Sequence, residues 1–288
     1  MRELTEGALL ASRYTLVRRI ASGGMATVWL ATDKRTDGQV ALKFADDVTC
    51  FEALQKEWRI GSRLMHANII RIFEFHEDDD GPFYGMQFID GPDMSALSRE
   101  SLDVILRPVG LIADALRYAH AKEVVHRDIK ASNILIDPRG APYLVDFGIA
   151  GIVGVAGGGS SSVAASPQQK AGEAQAAADD IYSLGVLIAE LISGEPPRGQ
   201  EDVASLRDSS GNPLPSAISD LLTEMLAADA GQRRGGAGQQ ADGLQRPARQ
   251  PGARGGREGP RRGLGGGPRA GPGHDVSLDK GAGPLAGI

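Results

Sequence analysis

Short runs of alternating apolar and polar residues, punctuated by glycine, fill the first half of the opening ninety positions. Tyr14-Thr15-Leu16-Val17, Thr27-Val28-Trp29-Leu30-Ala31 and Gln39-Val40-Ala41-Leu42-Lys43-Phe44 carry the β-branched and aromatic content of strands. Their close spacing predicts an antiparallel meander. From 51 to 65 the pattern changes, and Leu54, Trp58 and Leu64 recur at spacings that fit one face of a helix. Two more strand-like runs, 69–76 and 83–89, flank the acidic turn Glu77-Asp78-Asp79-Asp80-Gly81-Pro82. The first ninety residues therefore read as a small β-rich lobe with one helix.

After Gly91-Pro92 the periodicity turns helical, notably over 104–122 and 180–193, with the short strand-like pieces Ile134-Leu135-Ile136 and Tyr143-Leu144-Val145 between them. A second, mainly helical lobe is expected. The stretch 151–178 is rich in Gly, Ala, Ser and Gln and reads as a long mobile loop, a length that is usually functional or disordered. Residues 234–288 are dominated by Gly, Arg and Pro without apolar periodicity, so they are not expected to fold alone. No Gly-X-Y period runs through them, which excludes collagen. Two readings of this tail stay open: a disordered extension, or out-of-frame translation of GC-rich coding sequence from about codon 233.

Composition narrows the classes. A chain of 288 residues can bury a sizeable core, and a net charge of -6 gives no electrostatic footprint for nucleic acid. The single cysteine, Cys50, excludes an internal disulfide framework and fits a reducing compartment. Met1-Arg2-Glu3-Leu4-Thr5-Glu6 lacks the apolar run of a secretory signal, and no segment reaches the roughly 18 apolar residues of a membrane helix. A cytoplasmic location is expected.

The chemistry concentrates in Val125-His126-Arg127-Asp128-Ile129-Lys130-Ala131-Ser132-Asn133, with Asp146-Phe147-Gly148 thirteen residues on. A carboxylate such as Asp128 can take the proton of an acceptor hydroxyl, and Lys130 can neutralise charge on a transferring phosphoryl group. Asn133 and Asp146 supply oxygen donors suited to a hard cation. Together these residues resemble the catalytic loop and metal-binding turn of the eukaryotic-like (Hanks-type) protein kinases, and Lys130 is more similar to their Ser/Thr branch. Val40-Ala41-Leu42-Lys43 resembles the kinase strand whose lysine meets the α and β phosphates. Glu57 is its expected partner, nine residues before His66-Ala67-Asn68-Ile69-Ile70, which resembles the family's His-Pro-Asn-Ile turn.

The resemblance covers about 13–233 and implies a two-lobed α+β fold. Its expected parts are a leader at 1–12, an N-lobe at 13–90 and a C-lobe at 91–233, the last helices of which are missing if the frame breaks near 233. It further implies that Ala21, Ser22, Gly23 and Gly24 cover the phosphates. Ala21 and Ala26 stand where the family carries glycine, and alanine disfavours positive φ. Met86 falls at the gatekeeper position, the backbone from Gln87 to Ile89 faces adenine, Val28, Ala41 and Leu135 sandwich it, and Asp93 reaches the ribose. Gly61, four residues after Glu57, replaces a bulky apolar residue, which implies a loosely docked helix.

In the activation segment, Ala164 and Gln168 replace the family's tyrosine and glutamate, and Arg233 matches the arginine that glutamate pairs with. Asp180 matches the residue that anchors the catalytic loop. Ser160, Ser161 and Ser162 are candidate phosphorylation sites beside the alternative of a plain serine-rich linker. The implied activity is transfer of the ATP γ-phosphoryl group to Ser or Thr of protein substrates, with Mg2+ (Mn2+ as an alternative ion) and a homodimer as a route to autophosphorylation. A pseudokinase or nucleotide-binding scaffold, suggested by Ala21, Ala26, Gly61, Ala164 and Gln168, is the first rival. A kinase-like small-molecule phosphotransferase is the second.

Overall fold

The computed structural model describes residues 4–22, 26–78, 81–147, 151–152, 163–174 and 176–233. Gly23 and Gly24, expected to cover the phosphates, the candidate sites Ser160, Ser161 and Ser162, and the tail 234–288 lie outside the described residues.

Six antiparallel strands form the N-lobe sheet: β1 (Leu9–Leu10), β2 (Tyr14–Ser22), β3 (Ala26–Asp33), β4 (Gly38–Ala45), β5 (Ile72–Asp78) and β6 (Gly81–Gln87), in spatial order β1-β2-β3-β4-β6-β5. The meander read from the sequence is present, and the predicted strand over 69–76 is shorter, beginning at Ile72. Residues expected to be a leader are joined to this sheet instead. Leu9 and Leu10 pair with Thr15 and Tyr14, and Leu10 is fully buried with Tyr14, Leu16, Leu42, Phe44 and Phe83. An apolar pair placed just before a strand can pair back on it, which satisfies backbone groups a free leader would leave to water.

Helix α1 (Phe51–Gly61) crosses this sheet and stops before Met65. Its inward face buries only Leu54, Glu57 and Gly61. The expectation of loose docking at Gly61 is corrected by β5. A Cβ on Gly61 would collide with Ile72 Cδ1, so the Ile72 side chain fills the space the glycine leaves.

The C-lobe is built on α2 (Leu102–His120) and α4 (Ala177–Ser193), with α5 (Ser216–Met225) against α4. Pro108 inside α2 removes one helical hydrogen bond, and Val104, whose carbonyl loses that partner, is exposed to water that can replace it. Thirteen of the seventeen residues of α4 are buried, so this helix is apolar nearly all round and forms the centre of the lobe. Its core joins Ile105, Val109, Ile112 and Leu116 to Leu184, Ile188, Leu222 and Met225. The sequence reading passed over α5, which has no side-chain cap, no acidic residue in its first turn and no basic one in its last.

Short strands lie under the cleft: β7 (Val124–Val125) pairs with β10 (Gly151–Ile152), and β8 (Ile134–Ile136) pairs with β9 (Pro142–Leu144). The stretch 151–178, expected to be one long mobile loop, is in part ordered: it holds β10 and the helical turn α3 (Pro167–Lys170), with Ala165, Ser166 and Gln169 buried. Ser166 caps α3 reciprocally with Gln169, and its hydroxyl donates to Asp179 Oδ1 at 2.6 Å, which ties the segment to α4. The connection between lobes runs past β8 so closely that a side chain on Gly91 would strike the Ile136 carbonyl. Among the described residues no helix is long and apolar enough to cross a membrane.

Candidate active site

Strand register aligns the N-lobe side of the cleft. In the antiparallel ladder Val28 faces Lys43, which faces Tyr84, while two residues along Leu30 faces Ala41, which faces Met86. Since strand side chains alternate, Val28, Ala41, Lys43, Tyr84 and Met86 share one face. Lys43 Nζ donates to both Glu57 oxygens at 2.7 and 2.8 Å and to Asp146 Oδ1 at 3.0 Å. Burial alone would lower the lysine, but the carboxylates of Glu57 and Asp146 outweigh it and hold it above its ordinary value. Burial pushes Glu57 up, against the pull of Lys43. The lysine, glutamate and aspartate singled out separately in the sequence thus meet in one ion-paired group.

The catalytic loop is fixed from beneath. The fully buried Asp180 of α4 accepts the backbone N–H of His126 at 2.8 Å and of Arg127 at 2.7 Å, together with His120 Nε2 at 2.7 Å. Burial would raise its carboxyl, yet the His120 hydrogen bond and its other partners hold it below the ordinary value. His126 Nε2 donates to the Val145 carbonyl (2.9 Å), and its ring packs edge-on against Phe147. Arg127 and Asp146 both adopt positive φ, 71° and 63°, a sparsely populated backbone for such residues that persists only where the surroundings over-determine it.

On this loop Asp128 Oδ2 accepts Lys130 Nζ at 2.7 Å and Asn133 Nδ2 at 2.9 Å. Asn133 Nδ2 also donates to the Asp128 carbonyl (2.8 Å), so its amide donors are spent and its oxygen is what it can offer a cation. Asp146, with 45% of its side chain exposed, offers a carboxylate. Two oxygen donors of this kind fit Mg2+, which is held by one or two protein groups and completes its shell with phosphate oxygens and water.

Around the nucleotide positions the outcome is mixed. Ala21 and Ser22 end β2 and Ala26 opens β3, and neither alanine has positive φ, so glycine is not needed at these two places. The Gln87 N–H donates to the Arg71 carbonyl (2.8 Å), and Ile89 is buried. Asp93 caps the 3-10 helix Met94–Leu97 through the Ser95 N–H, and its backbone bridges to Leu135. In the activation segment Gln168 Oε1 accepts Arg233 Nη2 at 2.6 Å, while the Arg233 guanidinium lies over the Tyr182 ring.

Two contributors escaped the sequence reading. Tyr84 donates its hydroxyl to Glu57 at 2.7 Å, and its position two residues before Met86 in the same strand was the signal for a shared face. Gln169 donates to the Arg127 carbonyl at 2.9 Å, a link between α3 and the catalytic loop that no local pattern announces.

A curled β lobe that presents a paired lysine, set against a helical lobe that presents a His-Arg-Asp loop, defines a two-lobed kinase cleft. The chain belongs to the protein kinase domain family, which matches residues 14–241. It is 32% identical over 219 residues to serine/threonine-protein kinase PrkC of Bacillus subtilis, covering 69% of this chain and 33% of that protein. With serine/threonine-protein kinase PknA of Mycobacterium tuberculosis it shares 35% over 213 residues, 66% of this chain and 49% of the relative. With PknL of the same species it shares 33% over 240 residues, 76% and 59%. The chain therefore spans between a third and three fifths of the length of these curated relatives.

Proposed function

We propose that this chain is a protein serine/threonine kinase that transfers the γ-phosphoryl group of ATP to Ser or Thr hydroxyls of protein substrates in the presence of Mg2+. The observation that carries the reading is the Lys43–Glu57–Asp146 ion-paired group, set in one cleft with the Asp128–Lys130–Asn133 cluster. Resemblance of the chain to relatives named serine/threonine-protein kinases supports the acceptor class.

Lys43, held by Glu57, binds and orients the α and β phosphates. Asp128 accepts the proton of the acceptor hydroxyl as that oxygen bonds to the γ-phosphorus, and ADP departs as the bond to the β–γ bridging oxygen breaks. Lys130 balances negative charge on the transferring group. Asn133 and Asp146 hold the divalent ion, which when bound neutralises charge between the β and γ phosphates. Val28, Ala41 and Leu135 enclose adenine, Gln87 and Ile89 meet its edge, Asp93 meets the ribose, and Ala21, Ser22, Gly23 and Gly24 cover the phosphates. Ser160, Ser161 and Ser162 are taken as sites of autophosphorylation through a transient homodimer. The catalytic unit is taken as 13–233, lobes divided at 90/91, with 234–288 outside it.

The scaffold alternative is weakened by the strand geometry at Ala21 and Ala26 and by Ile72 filling the space at Gly61. Incubation with labelled ATP, Mg2+ and a generic basic protein substrate tests the proposal. Transfer is expected, and Asp128→Asn is expected to lower it by about 10²- to 10⁴-fold, the usual contribution of a general base. Label at the level of the Asp128→Asn variant in the unaltered chain would overturn it.

A further inference from the structure

Helix α1 docks on the sheet through a few inward positions, with Ile72 filling the space beside Gly61. Leu54 and Glu57 are the only side chains it buries, because the third inward position is Gly61. Its flanks add ring contacts of Phe51 and Trp58 with Phe75, packing of Ile60 on the larger core, and donation by Trp58 Nε1 to the Phe73 carbonyl at 2.7 Å. Of the contacts of α1, those of Glu57 are the ones that also reach Lys43.

Tyr84 is one of those partners and has no part in the phosphotransfer chemistry described above. Its ring is 1% exposed, in a small cluster with Ala45 and Leu54 ringed by Trp58, Ile72, Phe75 and Met86. A phenylalanine would fill that space without bringing a hydroxyl, whose burial is costly unless it finds a partner. The hydroxyl donates to Glu57 Oε1 at 2.7 Å, the same oxygen that accepts Lys43 Nζ at 2.7 Å. A hydrogen bond to a buried carboxylate is of the charge-assisted, stronger kind. Burial and the charge of Glu57 keep the phenol well above its ordinary titration range, so it remains a donor throughout.

We infer that Tyr84 is a positioning residue: its hydroxyl fixes the Glu57 carboxylate at the depth of Lys43 and so adds to the docking of α1. This rests on the kinase reading. It differs from a plain core role for the ring because everything specific to it passes through one oxygen and must disappear when Glu57 is removed.

The test compares the full chain with Tyr84→Phe, Glu57→Met and the double variant. Two quantities are read: amide hydrogen exchange over residues 51–61, and kcat/KM for ATP with Mg2+ on a generic protein substrate. Tyr84→Phe is expected to speed exchange over 51–61 and to lower kcat/KM for ATP, each by about 10- to 100-fold, the size set by losing a hydrogen bond to a charged group. In the Glu57→Met background it should change neither quantity further. Unaltered exchange in Tyr84→Phe, or an equal loss in both backgrounds, overturns the inference. Should the unaltered chain transfer no phosphoryl group, the kinase reading fails, and exchange over 51–61 still decides the role of Tyr84.

Discussion

Asp33 and Gln168 show how single side chains set measurable properties away from the chemistry. Asp33 is buried and receives the Arg13 guanidinium at 2.6 and 2.8 Å. The Arg13 hydrogen bond is the main cause that lowers its carboxyl from 3.8 to about 2. Because the folded value lies below the unfolded one, the pair's stabilisation is fully present above pH ~4 and is lost as pH falls through about 2. Urea unfolding between pH 5 and 2 should therefore show a falling midpoint, and Asp33→Asn should flatten part of that slope. Arg233, buried against Tyr182 and carbonyl oxygens, meets the amide oxygen of Gln168, whose Nε2 donates to the Ala228 carbonyl at 2.9 Å. Burial pulls this guanidinium down from its ordinary value. Gln168→Glu gains a charge-assisted bond to Arg233 but loses the Nε2 donation and sets a carboxylate oxygen against the Ala228 carbonyl, so stability is expected to change by less than about 1 kcal/mol, read as a urea midpoint near that of the unaltered chain at unchanged slope. Much at this scale could be read from spacing: Asp128, Lys130, Asn133 and Asp146 lie close together in sequence. Tyr84 and Gln169 could not, since each acts on a residue 27 or 42 positions away.

At the scale of elements, α1 and β5 share one volume. The sequence placed the helix correctly from its apolar spacing but took the glycine as a gap, because a gap is defined by what faces it and Ile72 is eleven residues away. Gly61→Leu should overpack this contact and cost about 1–3 kcal/mol. Adding Ile72→Ala should recover most of that loss in a denaturant titration, and failure of the pair to compensate would show that the two side chains do not exchange for one another. The segment 151–178 teaches the converse. Its composition reads as loop, yet the buried Ser166 and Gln169 find partners in Asp179 and the Arg127 carbonyl, which order a short helical turn that no periodicity could signal. The strand pieces β7 to β10 are two or three residues long, too short for alternation to identify, and two of the four were missed.

At the scale of the whole molecule, nucleotide binding should couple the lobes. A ligand that binds only the folded chain stabilises it by about 2.7 kcal/mol at a hundred times its Kd, which for a chain of this size raises Tm by about 5–10 °C. We expect such a shift with ATP and Mg2+ together, a smaller one with ATP alone, and loss of the Mg2+ increment in Asp146→Asn. A scan in which Mg2+ adds nothing to the unaltered chain would speak against Asn133 and Asp146 as the metal donors.

The sequence by itself determined the two-lobed class, the order of the major elements and the residues able to do the chemistry, because hydrophobic period and motif spacing are local properties of a chain. Tertiary structure alone decided that Lys43, Glu57 and Asp146 share one ion-paired group across as many as 103 positions. It also decided that Leu9 and Leu10 extend the sheet, that Ile72 fills the space beside Gly61, and that the Tyr84 hydroxyl meets Glu57. Those outcomes depend on which surfaces meet after folding, and contact between distant residues is set by packing and register, which neighbouring residues in a chain do not encode.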